Sequence, residues 1–320
     1  MVAKIGSDLG YPLTLTWKGK IKMQSILVAA QGALIQGILW GIMVIGIYIT
    51  YKILDIADLT VDGSFALGGS VCAILITNGW NPVIALCIAA LAGMCAGFVT
   101  GFLHTLFEIP AILAGILTQI SLWSINLKIM GRSNIPLLKT DTIFTSTANL
   151  FGISEKAASL GLGLVLVCLI IAALYWFFGT EIGSALRATG NNEAMVKALG
   201  GNTKLLKLMG LMLSNGLVAF SGGLICQSQK YGDIGMGTGA IVIGLAAIII
   251  GGVIMGRLKS FGSKLSSAVV GSIIYFMIRA IVLQLGMDPN DMKLISAVIV
   301  VLCLCVPFVI DKIKANKTYN

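Results

Sequence analysis

EIGSALRATGNNEAMVKALGGNT, residues 181–203, is the longest polar interruption in the second half of a chain otherwise built of apolar runs. Asn191 and Asn192 can cap a helix start, with Glu193 in the positive end of its first turn. Gly200 and Gly201 can end that helix. The segment between, roughly Asn192 to Leu199, would be only about 12 Å long at 1.5 Å per residue. Ala194, Met195, Ala198 and Leu199 share one face, and Glu193 and Lys197 form an i,i+4 pair beside it. So short a helix is marginal alone and needs a surface to dock on. The loop carries Arg187, Lys197, Lys204 and Lys207 against Glu181 and Glu193, which places it on the cytoplasmic side of a membrane.

Composition agrees with a membrane setting. The chain has 320 residues, 57% hydrophobic and only 11% charged, against about 25% charged in soluble domains. Its net charge of +9 sits in short loops and tails. It therefore reads as orientation information rather than as a nucleic-acid footprint. Glycine excess signals close backbone approach between helices. Gly93, Gly97 and Gly101 recur every four residues as one small-residue stripe. The seven cysteines all fall in apolar runs with no Cys-x-x-Cys pair, so they read as packing residues.

The expected fold is an all-α polytopic membrane protein of about nine to ten helices. Spans are expected near 25–51, 55–76, 83–106, 110–130, 160–178, 208–226, 239–255, 266–285 and 294–309. A basic tail, 1–22, precedes a membrane body at 23–311, and a second tail follows at 312–320. Segment 180–205 and the loop at 257–264 are expected inside, and the connections 131–157, 229–238 and 286–293 outside. Five spans before the 180–205 segment would put the N-terminus outside, whereas its four lysines argue inside. Either a sixth crossing is hidden or one segment is re-entrant, with 55–69 and the region around Pro110 as candidates. Asp58–Leu67 and Asp233–Val242 also read as possible repeat copies, each an acidic, Gly-containing turn entering an apolar helix.

The 181–203 stretch resembles the coupling segment of ABC-importer permeases, the subunits that move branched-chain amino acids, ribose and related solutes. The residues that carry the likeness are Gly183, Ser184, Ala185, Leu186, Arg187, Ala188, Gly190, Asn191, Asn192, Glu193, Ala194, Ala198, Gly200 and Asn202. In that family the element sits in a groove of a separate ATPase subunit. The resemblance therefore implies docking through Arg187, Asn191, Asn192, Glu193, Ala194, Met195, Ala198, Leu199 and Gly200. It also implies ATP and magnesium on two cytoplasmic ATPase partners, an external solute-binding (lipo)protein and a second permease copy. The setting would be the bacterial cytoplasmic membrane. Type II importers, which this family resembles, use ten helices, six of them before the coupling loop. Ten with one broken is accordingly the expectation, and nine with an outside N-terminus the alternative.

Asp58-Leu-Thr60-Val-Asp62-Gly-Ser64-Phe is the most specific motif of the first half. It resembles a subgroup of these permeases associated with uptake of tryptophan, tyrosine and similar amino acids. Carboxylates this close to lipid depth are costly and must face a cavity, a headgroup layer or partners. Asp58, Thr60, Asp62 and Ser64 can cap the second helix and hold broken backbone, or they can belong to a translocation path or gate. The chain carries one histidine, His104, and no Gly-x4-Gly-Lys-(Ser/Thr) phosphate loop. ATP hydrolysis would thus fall to another chain. A stand-alone secondary transporter or channel is the competing function, and it would need a coupling carboxylate at midplane. Arg279, in the outer half of the eighth span, reads as snorkelling outward or pairing with an acid across a dimer.

Overall fold

The computed structural model describes residues 23–138, 140–255 and 260–285, together with 294, 297, 298, 300, 301 and 305. The tails 1–22 and 312–320, the connection 286–293 and most of the expected span 294–309 lie outside the described residues. Among those described, eight helices are long and apolar enough to cross a membrane.

Helix α1 (Met23–Tyr48) continues through a π-helical turn, Ile49–Ile53. It is followed by α2 (Thr60–Thr77), α3 (Pro82–Thr105) and α4 (Ala111–Met130). A short strand β1 (Asn134–Pro136) and an amphipathic helix α5 (Ile143–Phe151) fill the connection to α6 (Glu155–Phe177). The polar interruption holds α7 (Glu181–Asn191) and α8 (Glu193–Ala198). Then come α9 (Thr203–Gln229), β2 (Tyr231–Asp233), a 3-10 turn at Ile234–Gly237, α10 (Ala240–Met255) and α11 (Phe261–Gln284).

The buried helix α9 organises the bundle. Ser214 Oγ donates to Gly46 O at 2.7 Å and Ser221 Oγ to Leu39 O at 2.8 Å. As α9 rises, α1 therefore descends. The predicted stripe of Gly93, Gly97 and Gly101 lies against Asn215, Leu211 and Leu208 in turn, so α3 descends along α9 as well. A side chain at Gly93 or Gly97 would overlap α9 itself, which explains the small residues there. Gly37 and Gly41 of α1 meet Ile273 and Val269, so α11 rises.

Two ends follow from these directions. The α7–α8 side also holds the α3–α4 corner, where Lys204 Nζ lies 3.2 Å from Glu108. The opposite side holds β1, α5 and β2. There β1 pairs antiparallel with β2, in the register Asn134↔Asp233, Ile135↔Gly232 and Pro136↔Tyr231. Lys230 Nζ is 2.8 Å from Glu155 at the start of α6. The connections 131–157 and 229–238 thus share the face away from 181–203.

Before the coupling segment the described residues hold five spans, not the six of the ten-helix expectation. Helix α1 thus starts on the far side. The lysine argument for an inside N-terminus therefore does not carry to Met23. No sixth crossing is found before the coupling segment among the described residues, and re-entrant backbone occurs instead in the second half, at 231–240. Pro110 merely begins α4, with Ala114 N bonded to its carbonyl at 3.0 Å. Gly232 packs on Ala73, Met236 on Gly69, and Gly237 on Asp62. Between Ala73 and Asp62 the chain drops about 16 Å along α2 at 1.5 Å per residue. Helix α10 consequently starts inside the bundle. Of the 55–69 candidate, only the linker before Thr60 is irregular, residues 60–69 being regular α2, and Gly115 of α4 packs on Leu59 of that linker.

Candidate functional site

The coupling segment is a short knob fixed to its own chain at every turn. Thr180 caps α7, accepting from Gly183 N at 3.3 Å. Asn192 is extended (φ −155°, ψ 93°), breaks α7 from α8, and caps α8 by accepting from Met195 N at 3.0 Å. Gly200, at φ +83°, turns the chain where a residue with Cβ would be strained. Asn202 then caps α9, accepting from Leu205 N at 3.1 Å.

Two faces result. Inward, Val196 is buried and Gly190 backs onto Ile53 at the end of α1. Glu193 meets Lys207 Nζ at 2.6 Å, Lys197 Nζ at 3.0 Å and Thr203 Oγ1 at 3.0 Å. The bond from Lys207 is the main reason its carboxyl is held down at about 2, with Lys197 and Thr203 adding to it against partial desolvation. Outward, Ala194, Met195, Ala198 and Leu199 are exposed, Leu199 to 79%. The expected i,i+4 pair and the expected apolar face are both present. Asn191 and Gly200 are exposed beside that face. Arg187 stands apart, its guanidinium 5.4 Å from the Phe261 ring.

The four motif residues of the first half form two clasps, one buried and one half-buried. Asp58 Oδ1 accepts from Thr60 N at 2.9 Å, and Oδ2 accepts from Asn215 Nδ2 at 2.6 Å. Ser64 Oγ donates to Asn215 Oδ1 at 2.6 Å, and Thr60 shares a 2.7 Å hydroxyl contact with Thr100. Asp58, Thr60 and Ser64 are thereby fully enclosed and bind α2 to α3 and α9. Asp62 does something else. It caps α10 rather than its own helix, with Oδ2 accepting from Gly239 N at 2.8 Å and Oδ1 from Ile241 N at 2.9 Å. The suspected repeat has a local counterpart here, since Asp233 Oδ1 accepts from Gly235 N two residues on, as Asp58 does from Thr60.

Sequence reading missed Asn215, the hub of the first clasp. Its signal was a Ser214-Asn215-Gly216 polar patch inside an otherwise apolar run. It also missed the far-side cavity of about 560 Å³ between α1, α9, α10 and α11, whose wall includes Trp40, Tyr231, Met236 and Arg279. His104 is structural, its Nδ1 lying 2.8 Å from Ile109 O at the α3–α4 corner. Trp176 is exposed next to the end of α6, as interfacial residues are, whereas Trp123, expected at a span end, is exposed near the middle of α4.

Residues 29–305 match the family model of the branched-chain amino acid transport system permease component. The chain belongs to that family. It is 42% identical over 266 residues to a tyrosine transport system permease protein of Clostridioides difficile, covering 83% of this chain and 87% of that one. It is 33% identical over 275 residues to the uncharacterized protein RP368 of Rickettsia prowazekii, covering 85% and 95%. The ribose import permease protein RbsC of Escherichia coli K12 is a more distant relative, 24% identical over 252 residues and covering 78% and 76%. The chain is thus a multi-pass membrane protein and the permease component of an import system.

Proposed function

We propose that the chain is the transmembrane half of an ATP-driven amino acid importer. It pairs with a second copy, and its α7–α8 knob inserts into a groove of a cytoplasmic ATPase subunit, one for each permease. ATP and magnesium are held by those subunits. The 131–157 connection, carrying α5, forms the docking surface for an external binding protein on the far side. The solute is an aromatic or other apolar amino acid, a reading supported by the tyrosine permease relative.

One observation carries the docking claim. Met195 and Leu199 are exposed apolar side chains on a helix whose other face is pinned by Val196 and by Glu193 with Lys207. Burying one such side chain in a partner stabilises by about 1.5–3 kcal/mol. The competing stand-alone transporter has less support, because the two acids of the Asp58–Phe65 motif are already engaged. Asp58 is held by Asn215 and Thr60, and Asp62 by the start of α10.

The test co-expresses the chain with an ATPase subunit and a binding protein from the same genome and compares wild type with Leu199→Asp. Leu199 is exposed, so the variant is expected in the membrane at wild-type level. ATPase capture and uptake are expected to be lost. Normal uptake by Leu199→Asp would remove the docking claim.

A further inference from the structure

We propose that the far-side cavity is a binding site for the carboxylate of the incoming solute, with Arg279 as its anchor. The proposal rests on the importer reading above, and it adds a residue and a chemistry.

The cavity holds about 560 Å³, and Gln36, Trp40, Gln229, Tyr231, Met236 and Arg279 are among the side chains on its wall. No Asp or Glu lines it among the described residues, and Arg279 makes no ion pair with any of them. Its guanidinium instead lies 5.8 Å from the Phe276 ring. Phe276 in turn meets Trp40 with ring centroids 5.3 Å apart and tilted by 49°, and Trp40 meets Phe65 at 4.7 Å, tilted by 36°. The cation therefore rests beside a cluster of tilted aromatic rings, and its guanidinium makes no hydrogen bond to a described residue. A guanidinium so placed selects a planar anion it can grip with two donors.

The other walls fit the rest of an amino acid. Trp40, Tyr231 and Met236 offer apolar and aromatic surface for a large side chain. Gln36 and Gln229 offer amide oxygens for an ammonium without a competing negative charge. The start of α10 is an unsuitable second anion site, because Asp62 already occupies Gly239 N and Ile241 N. That leaves Arg279 as the cation in the cavity wall among the described residues. The site lies on the side away from the knob, where solute arrives.

The experiment titrates the permease–ATPase complex in lipid nanodiscs with L-tyrosine, 3-(4-hydroxyphenyl)propionate and tyramine, followed by saturation-transfer NMR. The second probe lacks the amine and the third lacks the carboxylate. Wild type is expected to bind the first two and to bind tyramine about tenfold more weakly or worse, as the loss of one charge-assisted pairing implies. Arg279→Gln should weaken L-tyrosine by a similar factor, and Arg279→Lys should recover part of it. Equal binding of tyramine and the propionate, or unchanged L-tyrosine binding by Arg279→Gln, overturns the proposal. So does a wild-type complex that binds none of the three probes, the result expected if an acid of a second copy already held Arg279. Capture of the ATPase reports on the importer reading separately. A complex that assembles but fails the titration keeps that reading and loses this site.

Discussion

Replacing Asp62 by alanine should release the start of α10 and leave the rest of the bundle in place. The carboxylate accepts from Gly239 N at 2.8 Å and Ile241 N at 2.9 Å, two amides that have no turn of helix before them to bond to. Orphaning each donor costs about 1–3 kcal/mol, or about 2–6 kcal/mol for the pair. Gly239 also borders the far-side cavity, so water can replace part of what is lost and the low end of that range is expected. A loss of about 2 kcal/mol corresponds to roughly 30-fold, since about 1.4 kcal/mol is tenfold. Hydrogen–deuterium exchange in nanodiscs reads this directly, because local opening sets amide exchange. Amides 239–243 should exchange about 30-fold faster in Asp62→Ala, while those of α9 at 211–222 stay protected. Asp62→Asn keeps one acceptor oxygen and should fall between. Unchanged protection at 239–243 in Asp62→Ala would refute the claim that this residue holds the re-entrant segment.

Two further outcomes follow from the geometry. Because Lys207 depresses the Glu193 carboxyl to about 2, its contribution is complete above the ordinary carboxylate value and is lost only as pH falls through the depressed one. ATPase capture should accordingly be flat from pH 5 to 8, and a step in that window that Glu193→Gln removes would contradict the assignment. Gly97→Ala puts a methyl group into the α9 backbone at Leu211 and should destabilise by about 1–3 kcal/mol. Gly161→Ala meets nothing within 4 Å and should be neutral, with thermal unfolding in detergent comparing the two.

Most of the coupling knob was legible in the sequence because its determinants are local. An Asn before a short apolar-faced run, a glutamate in the first turn and a Gly pair after it specify cap, helix and stop without reference to distant residues. The Gly93–Gly97–Gly101 stripe was legible for a related reason, since a four-residue period fixes a face even when the partner is unknown. The Asp58–Ser64 motif was recognisable but its wiring was not. Asp62 caps a helix that begins 178 positions later, and Asp58 depends on Asn215 across the bundle. Charge counting also failed at the first span. The tail lysines offered an orientation, yet side-chain bonds from α9 to α1 require the opposite one.

The two clasps and the knob share α9, and this gives the architecture a mechanical logic. At its start, α9 is tied to α8 through Lys207 and Thr203 on Glu193. In its middle, Asn215 ties it to α2 through Asp58 and Ser64. At its far end it leads into β2 and the re-entrant turn, which comes to rest on Asp62 of that same α2. A push on the knob is therefore resisted first by α9 and α2 moving as one body, because parting them orphans buried polar groups at about 1–3 kcal/mol each. The weaker joint is the start of α10, where backbone amides rather than packed side chains make the contact and a cavity stands alongside. Displacement arriving through α9 would thus open the bundle beside Tyr231, Met236 and Arg279 before it separated α2 from α9. Locking that joint, for example with a cysteine pair linking the 3-10 turn to α2, should leave ATPase capture intact and stop uptake. Full uptake with the joint locked would mean that the bundle opens elsewhere.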